Sequence, residues 1–136
     1  MIGTRHTHQK AIVRQTVYQM HNHPSAEEIY EKVIEQCPTV SRATVYRILN
    51  QLVDCKEILR VPIPNGADRF DYQTGEHVHI RCICCGRIDD LCAPGTPVQL
   101  PELPESQHQY RITGYTILYE GICKTCQQKQ EELLWN

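Results

Sequence analysis

No apolar stretch in this 136-residue chain approaches the roughly 20 residues that a membrane-spanning helix needs. The first residues also lack the apolar core of a signal peptide, so we expect a cytoplasmic protein with no membrane partner. Internal repeats and low-complexity tracts are missing too. With 40% apolar and 22% charged residues, the chain is predicted to be a soluble globular protein of one ordinary domain or two small ones.

A strong charge of either sign is also missing, because the formal net charge is −2. The two halves nevertheless differ. Residues 1–63 carry eight Lys/Arg against six Asp/Glu, and residues 64–136 carry six against ten. A mildly basic half joined to an acidic half suggests two tasks, but charge alone does not establish nucleic-acid binding.

The most informative feature that is present is a set of four cysteines. Cys82 and Cys85 form one Cys-x-x-Cys pair, Cys123 and Cys126 form a second, and 37 residues separate the pairs. Each such turn aims two thiolates at one point, and two turns supply the closed four-sulfur shell that structural zinc prefers. One alternative is two disulfides, which a reducing compartment disfavours. The other is simply buried cysteines.

Cys84 is a rival ligand in the first cysteine pair. We prefer Cys85, because Gly86 follows it and a tight turn after the second ligand suits a residue that is free to take a positive φ.

Three amphipathic helices are predicted in the first half. The first covers about residues 7–20 and is capped by Thr7. The second is capped by Ser25 in a capping box and ends at Pro38. The third begins after its cap, Ser41. Each helix buries one apolar stripe.

The exposed face of the third helix carries no acidic residue before its last turn. Such a face can lie in a major groove, where arginine forks onto guanine and hydroxyls and amides reach bases or phosphates. The alternative is an ordinary solvated polar face. The residues predicted to contact DNA are Arg42, Thr44, Tyr46, Arg47 and Asn50.

A hairpin is predicted after the helices. Residues 58–63 and 69–72 read as strands, and Asn65-Gly66 supplies the residues that a tight hairpin turn prefers. Three helices followed by a hairpin describe a winged helix-turn-helix.

The second half contains a candidate for another metal site. In a strand, His77 and His79 point to one face, with Asp71 upstream and Asp89-Asp90 downstream. Nitrogen and oxygen ligands suit iron, manganese or zinc. The alternative is two surface histidines on an edge strand.

Beyond this site, the prolines at 97, 101 and 104 exclude a regular helix over 98–105. Strands are predicted at 110–113 and 115–119, and a short helix is predicted after Cys126. We therefore predict an α+β protein with a winged-helix DNA-binding domain (1–73), a hinge (74–77) and a metal-binding α/β dimerisation domain (78–136) with a four-cysteine zinc site.

The order of these motifs resembles that of the ferric uptake regulator (Fur) family from about residue 7 to residue 130. The motifs are His23-Pro24-Ser25-Ala26-Glu27-Glu28-Ile29-Tyr30, Ser41-x-Ala43-Thr44-Val45-Tyr46-Arg47, Arg69-Phe70-Asp71, His77-x-His79, Cys82-x-x-Cys85-Gly86 and Cys123-x-x-Cys126.

This resemblance implies a homodimeric, metal-dependent repressor that binds a palindromic operator in double-stranded DNA. It implies that the four cysteines hold structural Zn²⁺, and that Fe²⁺ or Mn²⁺ occupies a regulatory site whose ligands come from both domains. The implied regulatory ligands are His23, Asp71, His77, His79 and Asp90.

Within the family, Asp90 is similar to the aspartate of the peroxide-responsive PerR branch, where iron-uptake regulators usually have glutamate. The chain departs from the family in two places. It lacks the histidine often found near Gly114, so a third metal site is not expected, and its prolines replace a usual dimerisation helix.

Peroxide sensing through Fe²⁺-catalysed oxidation of a histidine ligand is the function we expect. The alternatives are an iron-responsive or other metal-uptake regulator, and a redox switch that uses the zinc thiolates. A hydrolase with a catalytic metal is a different class, but the motifs identify no general base or substrate pocket. We therefore predict that the protein is not an enzyme.

Overall fold

The computed structural model describes residues 2–75, 77–93, 95–104 and 109–135, with only the backbone described at 2–4. The chain divides into two compact units, Met1–Thr74 and Gly75–Asn136. Their mixed helix and sheet content confirms the predicted α+β class. The functional boundaries at residues 73 and 78 stay a prediction.

The first unit begins with three helices: α1 (Ile2–Gln19), α2 (Ala26–Gln36) and α3 (Arg42–Asp54). The prediction that Thr7 caps α1 is wrong, because the helix begins at Ile2 and Thr7 lies inside it. No proline interrupts residues 2–6, so nothing forces the helix to start later.

The other two predicted caps are present. The Ser25 hydroxyl accepts a hydrogen bond from the Glu28 N–H at 3.2 Å, and the Ser41 hydroxyl accepts one from the Thr44 N–H at 3.1 Å. Each bond satisfies an amide that has no partner within its own helix. α2 and α3 therefore start where the sequence predicts.

The apolar stripes of the three helices meet in one core, which the β-hairpin closes. Fully buried residues recur at helical spacing, so each helix covers the others. The core consists of Val13, Val17, Ile29, Val33, Val40, Val45, Ile48, Leu49, Leu52, Ile58 and Phe70.

The hairpin pairs β1 (Leu59–Val61) with β2 (Arg69–Asp71) in antiparallel register. The predicted turn at Asn65-Gly66 is present, since the Gly66 N–H donates to the Ile63 carbonyl at 3.2 Å and Asn65 has a φ of 59°. It lies within a longer connection, residues 62–68, because the strands are shorter than predicted. Pro62 cannot donate to the ladder, which ends before it, and the Asp68 carboxylate accepts the next N–H, that of Ile63, at 3.3 Å. Three helices and this hairpin form a winged helix-turn-helix.

The second unit is a three-stranded sheet followed by a helix. Its strands are β3 (His79–Cys82), β4 (Ile88–Asp90) and β5 (Leu118–Gly121), in the order β4-β3-β5. β3 is antiparallel to β4 and parallel to β5. The helix α4 (Lys124–Trp135) carries exposed apolar residues at its end, including Trp135, which is 90% exposed.

The chain between β4 and β5 differs in part from the prediction. Residues 95–104 form neither helix nor strand, as their prolines indicate. The predicted strand at 110–113 is absent, and the one predicted at 115–119 begins only at Leu118. Residues 110–116 are exposed, and the described part of the chain offers them no strand to pair with. No helix among the described residues is long and apolar enough to cross a membrane.

Candidate metal centres and nucleic-acid interface

The register of two parallel strands brings the two cysteine pairs together. Cys82 ends β3 opposite Gly121, the last residue of β5, so both Cys-x-x-Cys turns leave the sheet at the same end of these two strands. The Ile83 N–H donates to the Gly121 carbonyl at 2.8 Å and ties the first turn to the second strand. Gly86 has a φ of 79°, which confirms the positive φ predicted for it.

Four sulfur atoms lie within 4.8 Å of one another at this end of the strands: those of Cys82, Cys85, Cys123 and Cys126. The Cys85 and Cys123 sulfurs are 3.8 Å apart, well beyond the roughly 2 Å of a disulfide. Thiolates about 2.3 Å from a tetrahedral zinc lie about 3.8 Å from one another. The spacing of the thiols therefore fits zinc and not a disulfide.

Local hydrogen bonds prepare one of these thiols for a metal. Backbone N–H groups, first that of Cys123 at 3.3 Å and then that of Cys85, lower the pKa of Cys82 to about 5. The pKa of Cys126 is raised to about 12, first by its side-chain hydrogen bond with Cys123 and then by burial. A bound cation would replace the proton on Cys126, as metal binding to thiols generally does.

Cys84, the rival ligand, lies outside the four-sulfur group. Its side chain is exposed at the surface and accepts a hydrogen bond from the Gln130 amide at 3.6 Å. The structure thus brings together the set of four that the position of Gly86 favours.

In the first unit, His23 and Asp71 form a buried pair. Nε2 of His23 lies 3.2 Å from a carboxylate oxygen of Asp71, and both residues are less than a tenth exposed. The pair forms because β2 holds the loop before α2: the Arg69 guanidinium donates to the His23 carbonyl at 3.1 Å, and the Phe70 N–H donates to the Pro24 carbonyl at 2.9 Å.

In the second unit, two histidines converge on one carboxylate oxygen. Nε2 of His77 is 3.0 Å and Nε2 of His79 is 3.3 Å from Oδ1 of Asp90. His79 stands opposite Asp90 in the pairing of β3 with β4, which explains that contact. His77 precedes β3 and so does not share a strand with His79, yet the centroids of their rings lie 4.3 Å apart.

The tautomer of His77 follows from its second nitrogen. Nδ1 lies 2.6 Å from the Gly75 carbonyl, which can only accept, so Nδ1 carries the proton. Nε2, which faces Asp90, is therefore the nitrogen left to bind a cation in the neutral imidazole. Histidines that bind metals commonly donate their other N–H to a carbonyl or carboxylate in this way.

The exposed face of α3 shows which predicted DNA contacts are already engaged. Both carboxylate oxygens of Glu27 accept from Arg42, the shortest contact being 2.6 Å, and Arg42 also stacks over the Tyr30 ring at 4.7 Å. This pairing lowers the pKa of Glu27 and raises that of Arg42. Thr44 is half-buried, and its hydroxyl oxygen accepts a hydrogen bond from the Ser41 hydroxyl at 2.9 Å.

Arg47 and Tyr46 lie free on the same face. Tyr46 is 43% exposed, and among the described residues neither side chain has a hydrogen-bond partner. Arg47 lines a cleft between α1 and α3 together with Lys10 and Arg14, so that three cations share one concave surface. Lys10 and Arg14 on α1 were not predicted from the sequence, because the packing of α1 on α3 is not visible in the spacing of either helix.

Asn50, the last predicted DNA contact, is exposed but not free. Its Oδ1 accepts a hydrogen bond from Nη2 of Arg60 on β1. Arg60 is a third residue that the sequence did not single out, since the contact of β1 with α3 depends on tertiary packing.

Comparison with known proteins identifies the family. A model of the ferric uptake regulator family matches residues 1–120. The peroxide-responsive repressor PerR of Staphylococcus saprophyticus is 33% identical over 130 residues, which cover 93% of this chain and 85% of that protein.

Two solved structures are similar as well. The Helicobacter pylori ferric uptake regulator, described as having three functional metal-binding sites, has a TM-score of 0.67 and 25% identity over 88% of this chain and 79% of that one. A zinc uptake regulator in complex with zinc and DNA has a TM-score of 0.67 and 18% identity over 90% of this chain and 83% of that one, and shows the fold alone. The chain therefore belongs to the ferric uptake regulator family.

Proposed function

We propose that this protein is a metal-dependent transcriptional repressor. It binds a palindromic operator as a homodimer and leaves that operator when peroxide oxidises a histidine ligand. Zn²⁺ is structural and is held by Cys82, Cys85, Cys123 and Cys126, whereas Fe²⁺ or Mn²⁺ is regulatory.

The observation that carries this proposal is the chemistry of the histidine and aspartate ligands. Three imidazoles and two carboxylates without a thiolate suit Fe²⁺ or Mn²⁺, while four sulfurs suit Zn²⁺. The first unit offers two such ligands and the second offers three. Neither unit fills an octahedral shell alone, so we assign one regulatory metal to both sets.

Ligands drawn from both units make DNA binding depend on the metal. The first unit carries α3, whose exposed Tyr46 and Arg47 we assign to the major groove. In a dimer, a fixed angle between winged helix and second unit sets the distance between two α3 helices, and hence their fit to two half-sites.

The second unit supports the assignment of a homodimer. Among the described strands, β5 pairs only with β3, so its other edge carries backbone groups that a second copy can pair. Tyr119 on β5 is 55% exposed, so this strand also offers a second copy an aromatic side chain to cover.

The position of the imidazoles supports the proposal of peroxide sensing. The proposed ligands would hold Fe²⁺, which would supply the one-electron chemistry that cleaves the O–O bond of peroxide beside these imidazoles. The Nδ1 bond to Gly75 holds the His77 ring with Nε2 toward the carboxylate, so its ring carbons stay near the site of that cleavage. An oxygen added to His77 or His23 would weaken that ligand and release the link between the units.

Mass spectrometry after peroxide treatment of the Fe²⁺-loaded protein tests this function, with DNA release measured in parallel. We expect one added oxygen on His23 or His77 as the DNA is released. The Mn²⁺-loaded protein should bind the same duplex and ignore peroxide, because Mn²⁺ resists the one-electron step. Release with both histidines unmodified would contradict the mechanism.

The same measurement separates the alternatives. Cys85 is exposed and lies 3.8 Å from Cys123, so a thiol switch would give a disulfide among the zinc ligands with loss of zinc. An iron sensor would respond to Fe²⁺ concentration and not to peroxide. Turnover of an ester or amide by the metal-loaded protein would indicate a hydrolase.

A further inference from the structure

A groove between α3 and the hairpin contains an arginine that is held on three sides. Nη1 of Arg60 lies 3.3 Å from a carboxylate oxygen of Asp68, and Nη2 donates to Oδ1 of Asn50. The guanidinium also lies 5.2 Å from the centre of the Phe70 ring, which is buried. These contacts fix the fork of Arg60, which is only about one-third exposed.

The arginine dictates how the Asn50 amide is oriented. A guanidinium has only donors, so the atom that faces it must be the amide oxygen and not the amide nitrogen. The amide nitrogen, Nδ2, then points away from Arg60. Among the described residues it has no partner, and Asn50 lies on the exposed face of α3.

We infer that Arg60 makes Asn50 a donor-only contact to DNA and thereby sets the base preference beneath it. This inference rests on the proposed function. A free asparagine reads adenine with two bonds at once, accepting from N6 and donating to N7. The bond to Arg60 turns Oδ1 toward the hairpin, so Nδ2 is the atom that the amide presents outward. An outward Nδ2 suits the acceptors of guanine or the O4 of thymine and meets the amino group of adenine with a second donor.

The surroundings of Arg60 argue that it acts through Asn50. Its charge is paired with Asp68, and the same carboxylate accepts the backbone N–H of Ile63 at 3.3 Å, so the carboxylate is itself held in place. To reach a phosphate, Arg60 would have to leave Asp68, Asn50 and the Phe70 ring together. Arg60 is therefore a positioning residue, and Asn50 is the contact.

Selection from a library of duplexes randomised at each operator position tests this inference. The full-length, Mn²⁺-loaded protein is compared with Asn50→Ala, Arg60→Met and the double variant. Methionine keeps an apolar chain over Phe70 and removes the donors. Lys32→Met is the matched control, because it removes one charge from α2 in an ion pair with Glu35 that does not touch Asn50.

We expect Arg60→Met to raise the share of adenine at one position by about two- to tenfold, the range of one hydrogen bond. The same change in the Asn50→Ala background should leave that position unaltered, and Lys32→Met should alter none. Asn50→Asp keeps an acceptor for Arg60 and removes Nδ2, so it should lose the preference for guanine or thymine. This variant also tests the idea should Arg60→Met fail to fold.

Other results would overturn the inference. A uniform loss of affinity for all sequences, with a shallower salt dependence, would make Arg60 a phosphate contact. An unchanged base preference in Arg60→Met and Asn50→Asp would leave the pair without a role in recognition. A wild-type protein that binds no duplex with any metal would remove the proposed function itself, and the inference with it.

Discussion

At the scale of the residue, single hydrogen bonds decide which atoms can bind a metal or a base. The Gly75 carbonyl fixes the proton of His77 on Nδ1, and the Arg60 guanidinium fixes the amide of Asn50. In both cases a partner with only one hydrogen-bonding role removes the ambiguity of a side chain that has two.

His77→Ala should abolish metal-dependent DNA binding and leave zinc and fold intact. The imidazole belongs to the histidine and aspartate set, and the four sulfurs at the other end of β3 do not involve it. DNA binding with and without Mn²⁺, together with zinc content, measures the effect.

The control for this variant is His8→Ala, which removes an exposed imidazole on α1 and should change neither property. If His77→Ala loses its zinc, the two sets of ligands have been assigned to the wrong metals.

The closeness of the thiols within each cysteine pair, and of His77 to His79, was predicted from spacing, because Cys-x-x-Cys and His-x-His place these side chains within a few residues of one another. That they bind the assigned metals stays a prediction. The sequence did not predict Arg60 beside Asn50 or Glu27 beside Arg42. Those contacts join residues on different elements, and their partners follow from packing and not from spacing.

At the scale of the element, α3 combines a buried stripe with a face that is only partly available. Arg42 is paired with Glu27 and Asn50 is held by Arg60, so Tyr46 and Arg47 are the predicted contacts with no hydrogen-bond partner among the described residues. Arg47 also shares its cleft with Lys10 and Arg14 of α1.

Arg47→Ala should weaken specific DNA binding by about 1–3 kcal/mol if the side chain reads a guanine. If it contacts a phosphate instead, affinity should fall by a similar factor for all sequences and the salt dependence should become shallower. Titration of cognate and unrelated duplexes at several salt concentrations distinguishes these outcomes.

Lys32→Ala, on the outer face of α2, controls for the loss of one positive charge. Equal affinity of wild type and Arg47→Ala for the cognate duplex at fixed salt would remove Arg47 from the interface.

Elements with local signals were predicted and elements with distant partners were not. The Ser25 and Ser41 caps start α2 and α3 through bonds three residues away, so the sequence contains the whole signal. The connection at 62–68 and the start of β5 depend on partners elsewhere in the fold. A strand pattern at 110–113 therefore did not suffice to form a strand.

At the scale of the whole molecule, two compact units separate the assigned tasks. The first unit has its own apolar core under the three helices and the hairpin. The second unit has a three-stranded sheet, and the four sulfurs lie where β3 and β5 end. A small sheet of this kind depends on a metal for much of its stability.

Cys123→Ser should therefore unfold the second unit or convert the dimer into monomers. A hydroxyl does not replace the thiolate, so the zinc shell stays incomplete and the folding energy that metal binding supplies is lost. Zinc content, thermal unfolding and sedimentation measure the outcome.

Cys92→Ser changes a cysteine of the same unit outside the four-sulfur group, and it should behave as wild type. A stable dimer of Cys123→Ser that contains no zinc would show that the metal is not structural.

The position of Trp135 has an optical consequence. It is the one tryptophan of the sequence, and it lies at the end of α4, the helix whose first turn carries Cys126. Its indole is 90% exposed, so the emission of the folded protein should already have the wavelength of an indole in water. Unfolding of the second unit should then change the anisotropy of this emission more than its colour. Because the winged helix contains no tryptophan, the fluorescence excited at the red edge of the protein's absorption reports on the zinc-bearing unit alone.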